Sequence, residues 1–160
     1  MKIKVCRVDY HDLHHAAVIP LLMNLYATDP MGGGQPLPAE VLDNLVDSLA
    51  QRPYAFSFLV FVDDEAAGLV NCFESFSTFS CRPLVNIHDL IVLKPFRGLG
   101  LSQKLLQAVE KEALARECCK VTLEVLSGNE IAKSAYQKFG FAGYELDPAK
   151  GSALFWQKTL

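Results

Sequence analysis

The residues best suited to chemistry lie in a glycine-containing turn that follows an apolar segment. Residues 87–93 form a short apolar run that reads as a buried strand, and Pro95 ends it because proline cannot donate to a sheet ladder. Gly98 and Gly100 then allow a tight turn and leave no side chain between the backbone amides and a ligand. Apolar residues at helical spacing follow, so the turn opens a helix whose first amides lack partners and carry partial positive charge. The pattern predicts an anion site, most often for phosphate.

Two familiar phosphate-binding motifs do not fit this turn. The dinucleotide-binding fingerprint needs a third glycine where Gln103 stands, and a P-loop needs a lysine followed by serine or threonine, which is absent here. Instead, Arg97-x-x-Gly100-x-Ser102 resembles the Arg/Gln-x-x-Gly-x-Gly/Ala signature of the GNAT N-acetyltransferase superfamily, with serine in the last place. In that superfamily the loop holds the pyrophosphate of acetyl-coenzyme A (acetyl-CoA). The alternative is an ordinary tight connection between a strand and a helix.

A second motif, farther along the chain, resembles the same superfamily. Asn129 is followed seven residues later by Tyr136 and then by Gly140 and Phe141, in the family's order and at its usual separation from the first motif. The sequence is therefore identified as a member of the GNAT superfamily. The run around Asp89 also resembles the corresponding strand of the spermidine/spermine N-acetyltransferases.

The resemblance implies acetyl-CoA as co-substrate, held by three parts of the chain. The pantetheine arm would lie along a strand whose edge is exposed by a splay in the sheet, with a backbone N–H near Val92 facing the developing oxyanion. The loop amides would take the pyrophosphate, Asn129 would contact the pantetheine and Tyr136 would face the thiol. The cofactor-binding residues implied in this way are Leu90, Ile91, Val92, Arg97, Gly98, Leu99, Gly100, Leu101, Ser102, Gln103, Asn129 and Tyr136.

Acetyl transfer to an amine also needs an acceptor for the amine proton and a donor for the leaving thiolate. By resemblance Tyr136 is the general acid; alternatively it packs and only holds the thioester by a hydrogen bond. His88 is the candidate base because imidazole titrates near neutrality, although a neutral histidine bonded within the sheet is the alternative. Asp89 would orient a donor or bind a cationic substrate. Glu74 joins His88 and Asp89 as a candidate substrate-binding residue, or is a surface carboxylate.

The positions of His88 and Asp89 set a geometric condition. Adjacent residues of a regular strand point to opposite faces, so both side chains reach one pocket only if a bulge intervenes.

Composition narrows the possible partners. The chain has 160 residues, of which 51% are hydrophobic, and we expect one domain over residues 1–160. A net charge of −3 without a basic run argues against nucleic acid, and no apolar segment is long enough to span a membrane. Five irregularly spaced cysteines fit reduced thiols in a cytoplasmic protein. His11 and His15 share a helix face but have no evident third ligand, so no metal is expected.

The remaining patterns predict an α/β (α+β) protein with the GNAT fold. We expect a mixed, mostly antiparallel sheet of about six or seven strands, splayed at the cofactor strand and flanked by about four helices. The first helix carries an apolar stripe that comprises Leu13, Ala17, Leu21, Leu22 and Leu25. The Met31–Gly34 segment is either a mobile lid or a plain linker. Two last strands are expected, near Tyr144 and over residues 153–158.

These observations predict an N-acetyltransferase that moves the acetyl group of acetyl-CoA to a primary amine of a small molecule, polyamine-like or amino-acid-like, by direct attack in a ternary complex. The alternatives are a non-catalytic acyl-CoA-binding or regulatory module on the same fold, and an acetyltransferase of protein N-termini or lysines. The family commonly dimerises, so we expect a homodimer, with the aromatic-rich C-terminal segment as the candidate surface.

Overall fold

A five-stranded sheet forms the centre of the first part of the chain. The computed structural model describes residues 1–160 and divides into two units, residues 1–123 and 124–160. The strands lie in the order β1 to β5, with the first four antiparallel and β5 parallel to β4. Their bounds are Ile3–Arg7, Ala55–Val62, Glu65–Ser77, Arg82–Val92 and Val121–Leu123. The mixed, mostly antiparallel sheet is confirmed, but it has five strands rather than six or seven.

Three α-helices belong to the first unit and one to the second. These are α1 (Leu13–Thr28), α2 (Ala39–Ala50), α3 (Leu101–Ala115) and α4 (Glu130–Phe139). Asp12 caps α1, because its carboxylate accepts hydrogen bonds from the amides of His14 and His15, each at 2.9 Å. The expected helix number is confirmed.

The strand β2 divides the buried core between the two faces of the sheet. All eight of its residues are buried. Leu59 and Phe61 pack in a cluster with Ile19 and Leu22 of α1. Side chains alternate along a strand, so Phe56 and its even-numbered neighbours point to the opposite face, where α3 packs on the sheet.

The apolar stripe assigned to α1 is mostly on the wrong face. Leu22 is fully buried, but Leu13, Leu21 and Leu25 are exposed. The buried face includes Val18 and Ile19 instead. Apolar residues occur on more than one side of this helix, and spacing alone cannot choose between them.

The two final strands are absent, which accounts for the lower strand count. Residues 141–160 contain no strand and only one short 3₁₀ helix, Pro148–Lys150. The β-prone side chains of Leu154, Phe155 and Trp156 are exposed. A strand exists only where another strand pairs with it, and residues 153–158 pair with none in this chain.

Candidate active site

The glycine-containing turn has the geometry that an anion site needs. Gly98 and Gly100 adopt left-handed conformations, with φ of 83° and 72°, which side chains other than glycine rarely accept. A Cβ added at either position would meet no atom within 4 Å, so the space beside this backbone is open. Gly100 is the N-cap of α3, no side chain caps that helix, and its first turn holds no acidic residue. An anion approaching the first amides of α3 would therefore meet neither a capping group nor a like charge of that turn.

Arg97 connects this turn to two other parts of the first unit. Its Nε donates to the carbonyl oxygen of Val92 at 3.1 Å, at the end of β4. Its Nη2 donates to Oδ2 of Asp29 at 3.2 Å, where the Met31–Gly34 loop begins. The Met31 amide and then Arg97 lower the pKa of Asp29, so this carboxylate is charged at neutral pH.

A β-bulge lies at His88. The pairing of β3 with β4 passes from Asn71–Asp89 to Cys72–Ile87, so the register takes up one extra residue on β4, His88. A bulge re-aims the side chains around it. The condition under which His88 and Asp89 could act together is thereby met.

The bulge brings the imidazole and the carboxylate together. His88 Nδ1 lies 3.4 Å from Asp89 Oδ2, with the His88 side chain 64% exposed and the Asp89 side chain 14% exposed. The imidazole stands edge-on to the Phe73 ring, with 5.6 Å between the ring centroids. Asn71 Nδ2 donates to the same Asp89 oxygen at 3.0 Å. The exposed His88 imidazole thus lies beside the less exposed Asp89 carboxylate, which also accepts a hydrogen bond from the neighbouring strand.

Sequence reasoning missed Asn71, although a signal was present. It is one of few polar residues in the apolar run of β3, and it is only 3% exposed. A buried polar side chain within a sheet requires partners, and those partners mark a polar site.

Glu74 lies apart from this pair. Its Oε2 accepts a hydrogen bond from Arg116 Nη1 at 2.7 Å, and Arg116 also bonds Glu112 at 2.8 Å and lies over the Phe56 ring. These contacts are on the face that α3 covers, whereas Asn71 contacts Met23 of α1 on the other face. The structure does not bring Glu74 together with His88 and Asp89.

The strand β4 extends beyond its last pair with β5. The β4–β5 ladder ends at the pair Ile87–Leu123, while β4 continues to Val92. Leu90, Ile91 and Val92 therefore extend past the last pair with β5.

The second unit holds the other motif. Asn129 caps α4, since its Oδ1 accepts a hydrogen bond from the Ala132 amide at 3.2 Å, and Gly140 ends the helix with φ of 109°. The Tyr136 ring stands edge-on to the Phe141 ring at 5.9 Å. The roles of Asn129 and Tyr136 toward acetyl-CoA stay predictions.

Other chemistries find little support in the side chains. No three His, Cys, Asp or Glu residues are grouped so that they could hold a metal ion. His15 accepts from the Asp9 amide through Nδ1 and lies 3.7 Å from Cys6 Sγ through Nε2. Burial raises the pKa of Cys6 and of Cys72, which disfavours their reactive thiolate forms.

None of the helices has the length and apolar character to cross a bilayer.

This chain is similar in sequence to known N-acetyltransferases. An uncharacterized N-acetyltransferase of Archaeoglobus fulgidus is 41% identical over 76 residues, which cover 47% of this chain and 52% of that protein. The N-alpha-acetyltransferase MAK3 of Arabidopsis thaliana is 27% identical over 111 residues, which cover 61% of this chain and 57% of that protein. The chain thus spans little more than half the length of these two relatives.

Among solved structures, the aminoglycoside N-acetyltransferase AAC(6')-Iy in complex with the bisubstrate analog CoA-S-monomethyl-acetylneamine has a TM-score of 0.79 at 18% identity, with all of both chains covered. This likeness shows a shared fold. The sequence profile of the Acetyltransferase (GNAT) family matches residues 19–141, a span that contains the glycine turn, the bulge and the Asn129–Tyr136 motif. The chain belongs to the GNAT family of acetyltransferases.

Proposed function

We propose that this protein transfers the acetyl group of acetyl-CoA to a primary amine of a small molecule by direct attack in a ternary complex. One observation carries the proposal: the bulge that joins His88 to Asp89 lies on the strand that leads into the uncapped N-terminus of α3. A proton acceptor and an anion site thus occur within one strand–turn–helix segment, and GNAT proteins are a family of acyl-CoA-dependent acetyltransferases.

The residues of the first unit fit acetyl-CoA. The amides from Gly98 to Gln103 would hold its pyrophosphate, since the left-handed glycines leave the backbone open and no side chain caps α3. The edge of β4 at Leu90, Ile91 and Val92, beyond the last pair with β5, would pair with the pantetheine arm. The co-substrate supplies the thioester carbonyl that the amine attacks.

His88 is proposed as the general base. The Asp89 carboxylate beside Nδ1 favours the tautomer with the proton on Nδ1, which leaves Nε2 to accept a proton from the amine. The amine nitrogen bonds to the acetyl carbon as the carbon–sulfur bond breaks. From the family motif, Tyr136 gives the thiolate its proton and Asn129 contacts the pantetheine.

The acceptor is proposed to be a cationic small molecule. Polyamines, amino acids and aminoglycosides all carry primary amines, and the partly exposed Asp89 offers a carboxylate close to the proposed base. The solved relative AAC(6')-Iy supports aminoglycosides as candidates, whereas the resemblance to spermidine/spermine enzymes supports polyamines. The relative MAK3 favours a second candidate, the N-terminus of a protein.

An acetyl-transfer panel tests these candidates together. The protein is incubated with acetyl-CoA and, in turn, a polyamine, free amino acids, an aminoglycoside and peptides with free N-termini, while thiol release and product mass are measured. We expect turnover with at least one small amine. We expect the His88→Gln variant to turn over the same amine more slowly than the wild type. CoA binding without any turnover would instead indicate a non-catalytic acyl-CoA-binding module.

We further propose a cytoplasmic homodimer that forms through the C-terminal segment. Leu154, Phe155 and Trp156 are large apolar side chains exposed next to one another, a pattern that favours burial against a partner. Light scattering at micromolar concentration should give twice the chain mass, and a Phe155→Ser, Trp156→Ser variant should give the chain mass. A monomeric wild type would remove this proposal and leave the catalytic one intact.

A further inference from the structure

A chain of buried polar side chains leads from the first loop of the protein to Asp89. The Tyr10 hydroxyl lies 2.8 Å from Ser57 Oγ, Ser57 Oγ lies 2.7 Å from Asn71 Oδ1, and Asn71 Nδ2 lies 3.0 Å from Asp89 Oδ2. Ser57 and Asn71 are 1% and 3% exposed. Ser57 is the one polar residue of β2, and Asn71 interrupts the buried segment of β3 that runs from Ala67 to Cys72. These groups come from the β1–α1 connection, β2, β3 and β4.

The directions of these hydrogen bonds are fixed by chemistry. The Asp89 carboxylate only accepts, so Asn71 presents its NH₂ group to Asp89 and its oxygen to Ser57. Ser57 must then donate its single proton to Asn71, and Tyr10 must donate to Ser57. The hydrogen-bond donors of Tyr10, Ser57 and Asn71 thus all point toward Asp89, an order in which each hydrogen bond polarises the next.

Two further titratable groups lie near the Asp89 charge, Tyr26 of α1 and Cys72 of β3. Burial, and next the Asp89 charge, raises the pKa of both groups, so both are neutral at physiological pH. Asp89 Oδ2 contacts both the Asn71 amide and the His88 imidazole.

We propose that Tyr10, Ser57 and Asn71 form a positioning relay that holds Asp89 as an acceptor and thereby fixes His88 with Nδ1 toward Asp89 and Nε2 toward the amine. The relay rests on the proposed function, in which His88 is the base. An apolar trio would fill the same space without burying polar groups in the sheet, which is costly unless every one is bonded. The relay therefore lowers the stability that an apolar core would give and in return orients the Asp89 carboxylate.

The test measures the His88 ring directly, so that it does not depend on turnover. Nitrogen-15 NMR of the imidazoles reports which ring nitrogen carries the proton, and the sequence has only four histidines, with His88→Gln assigning the signal. In the wild type we expect the proton on Nδ1. Ser57→Ala and Asn71→Leu should move the population toward the Nε2-protonated form and shift the titration midpoint of His88.

Kinetics supply the second readout. Losing one hydrogen bond of this kind should lower kcat by about 2–10-fold for Ser57→Ala and about 10–100-fold for Asn71→Leu, whose bond is to a charged group. KM for acetyl-CoA should change less than about twofold, because the relay does not touch the proposed cofactor residues. If Asn71→Leu fails to fold, Tyr10→Phe, the mildest of the variants, is measured in its place.

Ser77→Ala is the matched control. Ser77 is also a buried serine of the sheet, but its hydroxyl accepts from the Ser80 amide and takes no part in the relay. It should leave the His88 tautomer and kcat as in the wild type. If the relay variants also leave both unchanged while His88→Gln abolishes the low-pH limb of kcat/KM, the relay is overturned and the base assignment stands. If His88→Gln keeps that limb, the base assignment fails and the relay falls with it.

Discussion

Arg97 Nη2 lies 3.2 Å from Asp29 Oδ2, an ion pair that joins the glycine turn to the start of the Met31–Gly34 loop. The same guanidinium bonds the carbonyl oxygen of Val92, so one side chain contacts the end of β4 and the loop after α1. Both partners are partly exposed, and an exposed pair of this kind contributes little stability. We expect the pair to matter for function, because an anion that binds at α3 would compete with Asp29 for Arg97.

Neutralising Asp29 should strengthen cofactor binding. Asp29→Asn keeps an oxygen to accept from the Met31 amide but removes the charge that competes for Arg97. We expect CoA affinity to rise about two- to fivefold at low ionic strength, with the gain lost at high salt because partly exposed charges are screened. Isothermal calorimetry at two salt concentrations measures it, with Asp43→Asn on the exposed side of α2 as a charge-matched control. A loss of affinity would show that Asp29 acts by holding Arg97 in place.

Gly100 separates backbone strain from charge in the same loop. Its φ of 72° and its open surroundings allow Asn and Asp equally, since both are among the residues that tolerate this conformation best. Gly100→Asp should abolish CoA binding, because it places a negative charge where the pyrophosphate approaches, and Gly100→Asn should weaken it much less. Equal affinities of the two variants in calorimetry would contradict a pyrophosphate site at this turn.

Local signals in the sequence were enough to place the strand, the glycine turn and the helix around Gly98 and Gly100. Each depends on neighbouring residues: a run of apolar side chains, a proline and two glycines. The end of α4 at Gly140 could be read in the same way, because a glycine just after a helical segment favours a left-handed cap. The N-cap at Asn129 was not predicted, since that residue was assigned to the cofactor.

Contacts between distant residues were not accessible in this way. Arg97 and Asp29 are 68 positions apart, and no local pattern pairs them. The bulge at His88 depends on the register of β3 against β4, which a single strand does not reveal. The C-terminal strands failed for a related reason, since β-propensity describes a segment and pairing needs a second one.

Alkaline pH should test how firmly Tyr10 is held. Burial raises the pKa of Tyr10 in the folded protein, whereas the unfolded chain has the ordinary value of about 10. Its stabilising contribution is therefore fully present below pH 10 and is lost as the pH rises through the raised value. Tyr10→Phe should cost about 0.5–1.5 kcal/mol of unfolding free energy at pH 8, and this difference should narrow above pH 10. Urea unfolding at both pH values measures it; a constant difference would contradict burial of the hydroxyl.

Tyr136→Phe tests the proposed general acid. The ring that contacts Phe141 is kept, so packing and CoA affinity should change little, whereas the proton donor for the thiolate is lost. General acid catalysis contributes about 10²–10⁴-fold, so kcat should fall by that order and the high-pH limb of the rate profile should change. Tyr144→Phe, at an exposed tyrosine of the same unit, is the control and should leave both unchanged.

The size of the loss at Tyr136 distinguishes two roles for its hydroxyl. If kcat falls only severalfold and the high-pH limb is intact, the hydroxyl positions the thioester and the thiolate leaves without a proton from Tyr136. The acid assignment then fails, while the proposed cofactor site at Gly98 and Gly100 stands, because its amides would hold the pyrophosphate and would take no part in proton transfer. A loss of both kcat and CoA affinity would instead place Tyr136 in cofactor binding.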